Sequence, residues 1–425
     1  MSGDWTVTKE ATCTENGEKV RECVDCGYIE SEIIPATGHH FVDGKCTNCG
    51  KTEGIEGTCG EQLTWTLQND GLLTISGSGK MTNYTSIKSV PWYDYVGQIK
   101  QVVIEKGVTS IGNFAFYGLK DIQKVTVPKG VEIIGDYAFK GCTGLEDIAL
   151  PKGLWKIGES AFYGCQALKA VNMPDTITVM GAYAFKGCSS VGSVHISKEL
   201  YGINESAFYG CQSLKQITIP EGIKRIDGYV FKNCSGLQTV ELPSTLAKLG
   251  ESAFYGCSSV KELTIPANVT VINGYTFKNC TSLKAIQLPE NLTSVGEAAF
   301  YGCTGLSEIT IPDSVTKING YAFKNCTGLS DIQLAEKLET IGESAFYSCT
   351  SLTEVTIPQQ VKKINGYAFA RSTSLKKINF TGDAPAIDSY AFSKVTADAK
   401  YPADNTPWTA DKRQNYGGKL TWSEK

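Results

Sequence analysis

Apolar residues recur along most of the chain with a period of 23 residues. A phenylalanine marks every period from Phe116 to Phe392, thirteen times without a slip. The aliphatic positions that follow it are clear in the copy after Phe208, at Leu214, Ile217, Ile219, Ile223 and Ile226. A unit of this length cannot bury its own apolar face, so it must stack on its copies and share a continuous core. The period therefore predicts a solenoid of about 13 coils.

Within one coil, the pattern predicts a strand, a corner and a turn. Polar Thr218 stands between two buried isoleucines, which is the alternation of a strand with one buried face. Pro220 follows and ends the strand, because proline cannot donate a backbone hydrogen bond. Gly, Asn or Asp stands four places before every Phe, which predicts a left-handed corner, since these residues tolerate positive φ. A single helical turn around the Phe is expected next.

The motif Leu-x-x-Val-x-Ile-Pro-x-x-Val-x-x-Ile-Gly-x-x-Ala-Phe-x-x-Cys resembles the leucine-rich repeat of the BspA-like family of bacterial surface and secreted proteins. The resemblance covers about residues 93–392. It implies a leucine-rich-repeat solenoid with short parallel β-strands, tight corners and single helical turns. It also implies a secreted or cell-surface protein, although no signal or anchor motif is visible. The role it implies is adhesion or recognition of protein or glycan ligands, including host-derived ones.

Four segments are expected along the chain. Residues 1–54 form a cysteine module, 55–98 an N-terminal β-hairpin cap, 99–392 the solenoid and 393–425 a C-terminal cap. The hairpin is predicted because two alternating apolar runs flank Asn69, Asp70 and Gly71. Caps are needed at both ends because an uncovered repeat exposes its core and its unpaired backbone.

The 16 cysteines fall into two groups, of which ten stand three places after the Phe of a repeat. The ten are Cys142, Cys165, Cys188, Cys211, Cys234, Cys257, Cys280, Cys303, Cys326 and Cys349. Side chains in a parallel register point the same way rather than toward each other, which disfavours disulfides between neighbouring coils. We expect free, buried thiols that act as small hydrophobic groups.

The other cysteines indicate a metal site near the N-terminus. Cys23 and Cys26 form one C-x-x-C pair, and Cys46 and Cys49 form a second after 19 intervening residues. This spacing is typical of a zinc-ribbon-like site with four thiolate ligands, in which zinc is structural because no coordination position remains for water.

Two alternatives to this zinc set stay open. Cys13, His39 and His40 offer further ligands, so that Cys13, Cys23, Cys26 and one histidine make a second plausible set. In an exported protein the same cysteines also suit a disulfide module.

Candidate ligand-binding residues are those that depart from an otherwise strict repeat. Trp155 and Tyr201 occupy one outward register two coils apart, and Asn172 and His195 occupy the outward strand position of adjacent coils. Exposed aromatic side chains with hydrogen-bonding neighbours have the composition of a binding hot spot. Drift of the repeat is the alternative explanation. A further stripe of tyrosines beside the Phe positions suits either packing between coils or a platform for sugars and peptides.

Several function classes are disfavoured. The net charge of −4 and the lack of a long basic run argue against nucleic-acid binding, so a nucleic-acid-binding zinc ribbon is the least favoured reading. No apolar run reaches the roughly 20 residues of a membrane-spanning helix. The three histidines lie in no Ser-His-Asp or Cys-His motif, so we expect no enzyme. A structural spacer remains the alternative to recognition, and nothing in the sequence indicates an oligomeric state.

Overall fold

Two rows of parallel strands run along the repeats. A computed structural model describes residues 4–42, 44–50, 53–403 and 407–425. The strands of the first row are β10 (Gln101–Ile104), β12 (Lys124–Thr126), β14 (Asp147–Ala149), β16 (Ala170–Asn172), β18 (Ser193–His195), β20 (Gln216–Thr218), β22 (Thr239–Glu241), β24 (Glu262–Thr264), β26 (Ala285–Gln287), β28 (Glu308–Thr310), β30 (Asp331–Gln333), β32 (Glu354–Ile357) and β34 (Lys377–Phe380). This row confirms the strand that the two-residue alternation predicts.

The second row is made of shorter strands after the proline turn. They are β11 (Val108–Ile111), β13 (Ile133–Ile134), β15 (Lys156–Ile157), β17 (Val179–Met180), β19 (Gly202–Ile203), β21 (Arg225–Ile226), β23 (Lys248–Leu249), β25 (Val271–Ile272), β27 (Ser294–Val295), β29 (Lys317–Ile318), β31 (Thr340–Ile341), β33 (Lys363–Ile364) and β35 (Ala386–Ile387). Each row thus has thirteen strands, in register at every 23rd residue, as the Phe period predicts.

Both ends of the solenoid carry further strands. Before it lie β6 (Gly54–Thr58), β7 (Leu63–Gln68), β8 (Leu72–Gly77) and β9 (Gly79–Lys80), with 3-10 helices at Ile87–Ser89 and Tyr93–Tyr95. After it lie β36 (Thr396–Tyr401), a 3-10 helix at Ala410–Lys412 and β37 (Lys419–Glu424). The predicted hairpin is present as antiparallel β7 and β8, and β8 and β9 continue the two rows as one additional turn. At the other end β36 and β37 extend the first row in parallel.

The N-terminal module is a separate arrangement of short antiparallel strands. Strands β1 (Thr6–Lys9), β2 (Gly17–Glu22) and β3 (Ile29–Ile34) form one sheet, and β4 (Phe41–Val42) and β5 (Lys45–Cys46) form a small hairpin. The hydrophobic core of the solenoid extends from Cys59 to Trp408 and includes none of the module's described residues, 4–42 and 44–50. The module must therefore be held together by its own interactions.

The expectation of a helical turn around each Phe is wrong. In the described coils this segment is a run of turns, because alternate amides donate to the next coil instead of bonding along a helix. Phe139 N donates to Ala161 O at 2.7 Å, whereas Lys140 N donates to Tyr137 O at 3.1 Å. Positive φ occurs two places before the Phe in twelve coils and two places after it in all thirteen.

The corner four places before each Phe also differs from the expectation. None of its Gly, Asn or Asp residues has positive φ. A Cβ on Gly158 would lie 2.5 Å from Asp136 N, so glycine is required there by the close approach of the preceding coil. Where asparagine stands at this position, its amide donates across the coils, as Asn273 Nδ2 does to Leu249 O at 2.6 Å. Coil-to-coil contact, rather than backbone conformation, selects these residues.

The thirteen phenylalanines form one buried stack along the solenoid axis. Successive ring centroids are 5.1–5.8 Å apart, and every ring is at most 1% exposed. Each ring packs on both neighbours, so the stack joins every coil to the next. Removing one ring opens a cavity that the fixed coil spacing prevents from closing.

The ten repeat cysteines are free and buried, which confirms the prediction made for them. Each thiol also donates to the carbonyl oxygen of the Phe in the preceding coil, as Cys257 Sγ does to Phe231 O at 3.1 Å. In the twelfth coil Ser372 replaces cysteine, and its hydroxyl donates to Phe346 O at 2.8 Å. The position therefore selects a small donor, which the sequence pattern alone does not reveal. Burial raises the pKa of Cys280 to about 12.

We expect Phe231→Ala to destabilise the solenoid by about 3–5 kcal/mol, because the ring is fully buried between two others. Phe231→Leu keeps most of the volume and should cost less than Phe231→Ala. Urea unfolding followed by circular dichroism measures both changes. An unchanged unfolding midpoint for Phe231→Ala would contradict the structural role of the stack.

We expect the repeat thiols to resist alkylation in the folded chain. With a pKa of about 12 for Cys280, the thiolate fraction at pH 8 is on the order of 10⁻⁴, and the sulfur is also shielded from reagent. Iodoacetamide labelling read by mass spectrometry should modify exposed Cys26 in native protein and the ten repeat cysteines only in urea. Rapid native labelling of the repeat would show that the thiol ladder is not buried.

Candidate functional site

The four predicted ligand-binding residues form two pairs on different sheets. Asn172 and His195 end strands β16 and β18 and are direct partners in the parallel ladder. Both side chains are exposed. His195 Nε2 lies 3.7 Å from Asp175 Oδ1, and Lys198 Nζ lies 3.8 Å from the other oxygen of that carboxylate. This pair thus belongs to a charged, polar corner, which lies where strands β16 and β18 of the first row end.

Trp155 and Tyr201 lie beside the second row, at the beginning of β15 and β19. They share one register and are separated by Thr178, whose N–H donates to Trp155 O at 3.0 Å. Trp155 is 39% exposed and Tyr201 is 67% exposed. The structure therefore places the two aromatic side chains on one face, and places Asn172 and His195 on the other side of the proline turn.

The aromatic face contains apolar surface that the sequence reading missed. Val179, on β17 in the coil between the two aromatic residues, is 41% exposed. Beside Tyr201, Gly202 lies under the side chain of Arg225, and a Cβ at this glycine would be 2.4 Å from Arg225 Cγ. Arg225 is held there by Asn204 and by an ion pair with Asp227. Val179 occupies a register that varies between coils, with lysine, arginine, serine, threonine and apolar residues among its members, so the sequence offered no clear signal for it.

The tyrosine stripe is engaged in contacts between coils. Five tyrosines donate their hydroxyl to a glutamate of the next coil at 2.8–3.5 Å; the pairs are Tyr137 with Glu159, Tyr183 with Glu205, Tyr229 with Glu251, Tyr275 with Glu297 and Tyr321 with Glu343. Lysine ammonium groups lie 4.5–6.0 Å from the ring centroids, as Lys232 does over three tyrosines. These cation–π and hydrogen-bond contacts favour the packing interpretation of the stripe.

A compact group of metal-ligating side chains lies in the N-terminal module. The ligand atoms of Cys13, His39, Cys46 and Cys49 all lie within 4.8 Å of one another, and this cluster could hold a metal ion. Cys13 Sγ is 3.6 Å from Cys46 Sγ, and Cys49 Sγ is 3.4 Å from His39 Nδ1. Three separate segments of the chain meet here.

The acidities of these thiols reflect their mutual contacts. Burial and hydrogen bonds with the thiols of Cys49 and Cys46 raise the pKa of Cys13 to about 11. Burial opposes the thiolate of Cys46, but hydrogen bonds from the backbone of Cys49 and from His39 outweigh it and lower the pKa of Cys46 to about 5. The contacts around Cys46 thus favour its thiolate, the form in which cysteine binds a metal ion.

The structure divides the four cysteines of the expected zinc set. Cys46 and Cys49 belong to the cluster, whereas Cys23 and Cys26 lie at the tip of the β2–β3 hairpin. Six paired residues per strand separate that tip from the hairpin base near Cys13, which is about 15–20 Å of extended chain. In the cluster, Cys13 and His39 take the positions that the prediction gave to Cys23 and Cys26. The sequence raised both residues as competing ligands, but only the topology of the hairpin decides between the sets.

Both C-x-x-C pairs nevertheless adopt the same local turn. Gly27 N donates to Cys23 O at 2.9 Å, and Gly50 N donates to Cys46 O at 2.8 Å. The two glycines have φ of +68° and +73°, a conformation that residues with a Cβ rarely adopt. The local sequence therefore does not show which of the two C-x-x-C turns lies at the cluster.

A family model described as a BspA type leucine rich repeat region matches residues 85–215, 178–304 and 271–398, with six copies. The matched stretches together span more than half of the chain. Among curated proteins no significant match is found. None of the helices that the structure describes has the length and apolar character needed to cross a bilayer.

Solved structures with the same architecture come from several bacteria. A leucine-rich repeat protein from Bacteroides ovatus has 26% sequence identity and a TM-score of 0.70, with 85% of this chain and 98% of that chain covered. A leucine-rich repeat protein from Eubacterium ventriosum has 26% identity and a TM-score of 0.52, with 76% and 96% covered. The pneumococcal vaccine antigen PcpA has 15% identity and a TM-score of 0.50, with 87% and 98% covered.

Proposed function

Since the chain belongs to the family of BspA-type leucine-rich repeat proteins, we propose that it is a non-catalytic recognition protein, secreted or at the cell surface, that binds a protein or glycan ligand through its solenoid. The observation that carries the proposal is the aromatic face, defined as Trp155, Val179 and Tyr201. It is an exposed apolar group on a rod whose other outward positions are mostly polar.

The aromatic face extends over three successive coils, one more than the stacked, exposed pair of Tyr367 and Tyr390. Its three members lie in three successive coils, within about 10 Å along the axis at the usual strand spacing. Val103 and Val271 are isolated exposed residues. Aromatic residues and arginine are the typical composition of an interaction hot spot, and the Arg225 side chain lies over Gly202, the residue after Tyr201. This composition supports a protein ligand more than a glycan.

The polar corner at Asn172 and His195 supplies a second contact region for the same ligand. Its side chains lie where strands β16 and β18 end, and these two coils also carry Val179 and Tyr201 of the aromatic face. Hydrogen-bonding groups around an apolar centre fix the orientation of a partner. The rigid backbone between the two regions would present them without a cost of ordering loops.

A non-catalytic role fits the placement of the chain's histidines. His195 is exposed on a strand beside Asp175 and Lys198. The contact between His39 and Cys49 lies inside the Cys-His cluster, where the pair is a set of ligand atoms rather than a nucleophile and its base. We also propose that the ion of this cluster is zinc with a structural role.

A spacer is the second candidate function, and the continuous core favours it. One core joins the described residues from Cys59 to Trp408. Thirteen coils at the usual strand spacing make a rod of about 60 Å. Such a rod would hold another module away from a surface without binding anything itself.

We expect the Trp155→Ala/Tyr201→Ala double variant to lose at least about tenfold in affinity for a ligand of the native chain, because truncating buried hot-spot aromatics commonly costs more than 1.4 kcal/mol. The full chain is first screened against immobilised host matrix proteins and a glycan array, and affinities are then measured by surface plasmon resonance.

The matched control is Tyr367→Ala/Tyr390→Ala, which removes two exposed, mutually stacked tyrosines from another part of the solenoid. It should bind as the native chain does. Equal affinity of both double variants would reject the aromatic face and keep the recognition function. No binding by the native chain in either screen would favour the spacer.

A further inference from the structure

We propose that the N-terminal module binds one Zn²⁺ through the Sγ atoms of Cys13, Cys46 and Cys49 and a ring nitrogen of His39. The inference rests on the structural zinc proposed above and specifies its ligands. It assigns no zinc-binding role to Cys23 and Cys26, although their spacing and turn are those of a zinc knuckle.

Two of the distances between the four ligand atoms match the edges of a zinc tetrahedron. With Zn–S of about 2.3 Å and Zn–N of about 2.0–2.1 Å, sulfur atoms lie about 3.8 Å apart and sulfur and nitrogen about 3.5 Å apart. The corresponding distances are 3.6 Å between Cys13 Sγ and Cys46 Sγ and 3.4 Å between Cys49 Sγ and His39 Nδ1. A disulfide requires about 2.05 Å. These two pairs of atoms therefore have the separation of ligands around an ion, and all four atoms lie within 4.8 Å of one another.

The burial pattern of the module also points to an ion. Among the described residues 4–42 and 44–50, only Cys13, Gly17 and Cys46 are buried. Two of these three are proposed ligands, so the cluster is the centre of the module. A small unit with so little apolar core needs a metal or another cross-link to remain folded.

The chain path explains how the ligands converge. Cys13 is held near the base of the β2–β3 hairpin, where Thr37 N donates to Thr12 O at 3.0 Å. The segment after β3 then leads directly to His39. The β4–β5 hairpin returns Cys46 to this segment, and Thr47 N donates to His40 O at 2.9 Å. Each of the three ligand-bearing segments is thus tied to a neighbour by the backbone.

Bound zinc would stabilise a module that the solenoid core does not support. Structural zinc contributes its binding free energy to folding, because the unfolded chain has no preformed site. The solenoid core begins only at Cys59. Loss of zinc should therefore unfold the N-terminal module and leave the repeats intact, which makes ligand variants interpretable.

The test measures zinc per chain in the full-length protein by mass spectrometry of the metal after dialysis against EDTA. We compare the native chain with Cys13→Ser, His39→Ala and the control Cys23→Ser/Cys26→Ser. The native chain and the control should retain one zinc, and the two ligand variants should lose it. Cobalt substitution adds a second readout, because the visible absorption of tetrahedral Co²⁺ should change in His39→Ala and stay unchanged in the control.

Trypsin digestion reports folding of the module apart from that of the repeats. The ligand variants should be cleaved within residues 4–50 and keep a protected solenoid. Zinc lost from the control but retained by Cys13→Ser would reject this ligand set and leave a structural zinc in place. A native chain without zinc, or with a Cys13–Cys46 disulfide found by peptide mapping, would overturn both the ligand set and the structural zinc.

Discussion

The constant 23-residue register brings every side chain of the solenoid next to its own equivalent in the following coil. Neighbouring strands are held about 4.8 Å apart by backbone hydrogen bonds, so a repeated position must tolerate a copy of itself at that distance. Phenylalanine does so by stacking, and asparagine by donating to a carbonyl of the preceding coil. Cysteine meets the same constraint with a thiol that donates to the preceding Phe carbonyl. Core composition thus follows from self-complementarity as well as from apolarity.

This constraint explains which parts of the solenoid were predictable. Coil number, strand position and the buried register follow from the period, because a periodic apolar pattern has one way to form a shared core. The local backbone around each Phe did not follow. Tyr183 has positive φ, although tyrosine is an unusual residue for that conformation, and its amide and its hydroxyl both donate to Glu205 of the next coil. Contacts between coils therefore outweigh local backbone preference, and they cannot be read from one repeat.

The N-terminal module shows the opposite situation. It has no repeat to restrict its topology, and its two C-x-x-C pairs are alike in spacing and in turn. Spacing predicted a zinc site with four thiolate ligands, and the structure has a cysteine and histidine cluster that could hold a metal ion. It did not identify the partners of Cys46 and Cys49, because a hairpin of six residue pairs carries Cys23 and Cys26 away from Cys13. Strand pairing, a non-local property, determines which ligands meet.

The same register gives exposed positions a different meaning from buried ones. An outward side chain is not packed in the core, so it can be replaced without disturbing the core. The residue type at an outward position therefore reflects its contact with solvent or with a partner. Large apolar side chains at such positions cost solubility unless they are covered. In the aromatic face, Trp155 and Tyr201 occupy a register that is mostly threonine, lysine or glutamate in other coils, and exposed Val179 lies in the coil between them. Drift of the repeat explains one such departure as well as a ligand does, whereas two aromatic departures in one register favour the common cause that we propose, a bound partner.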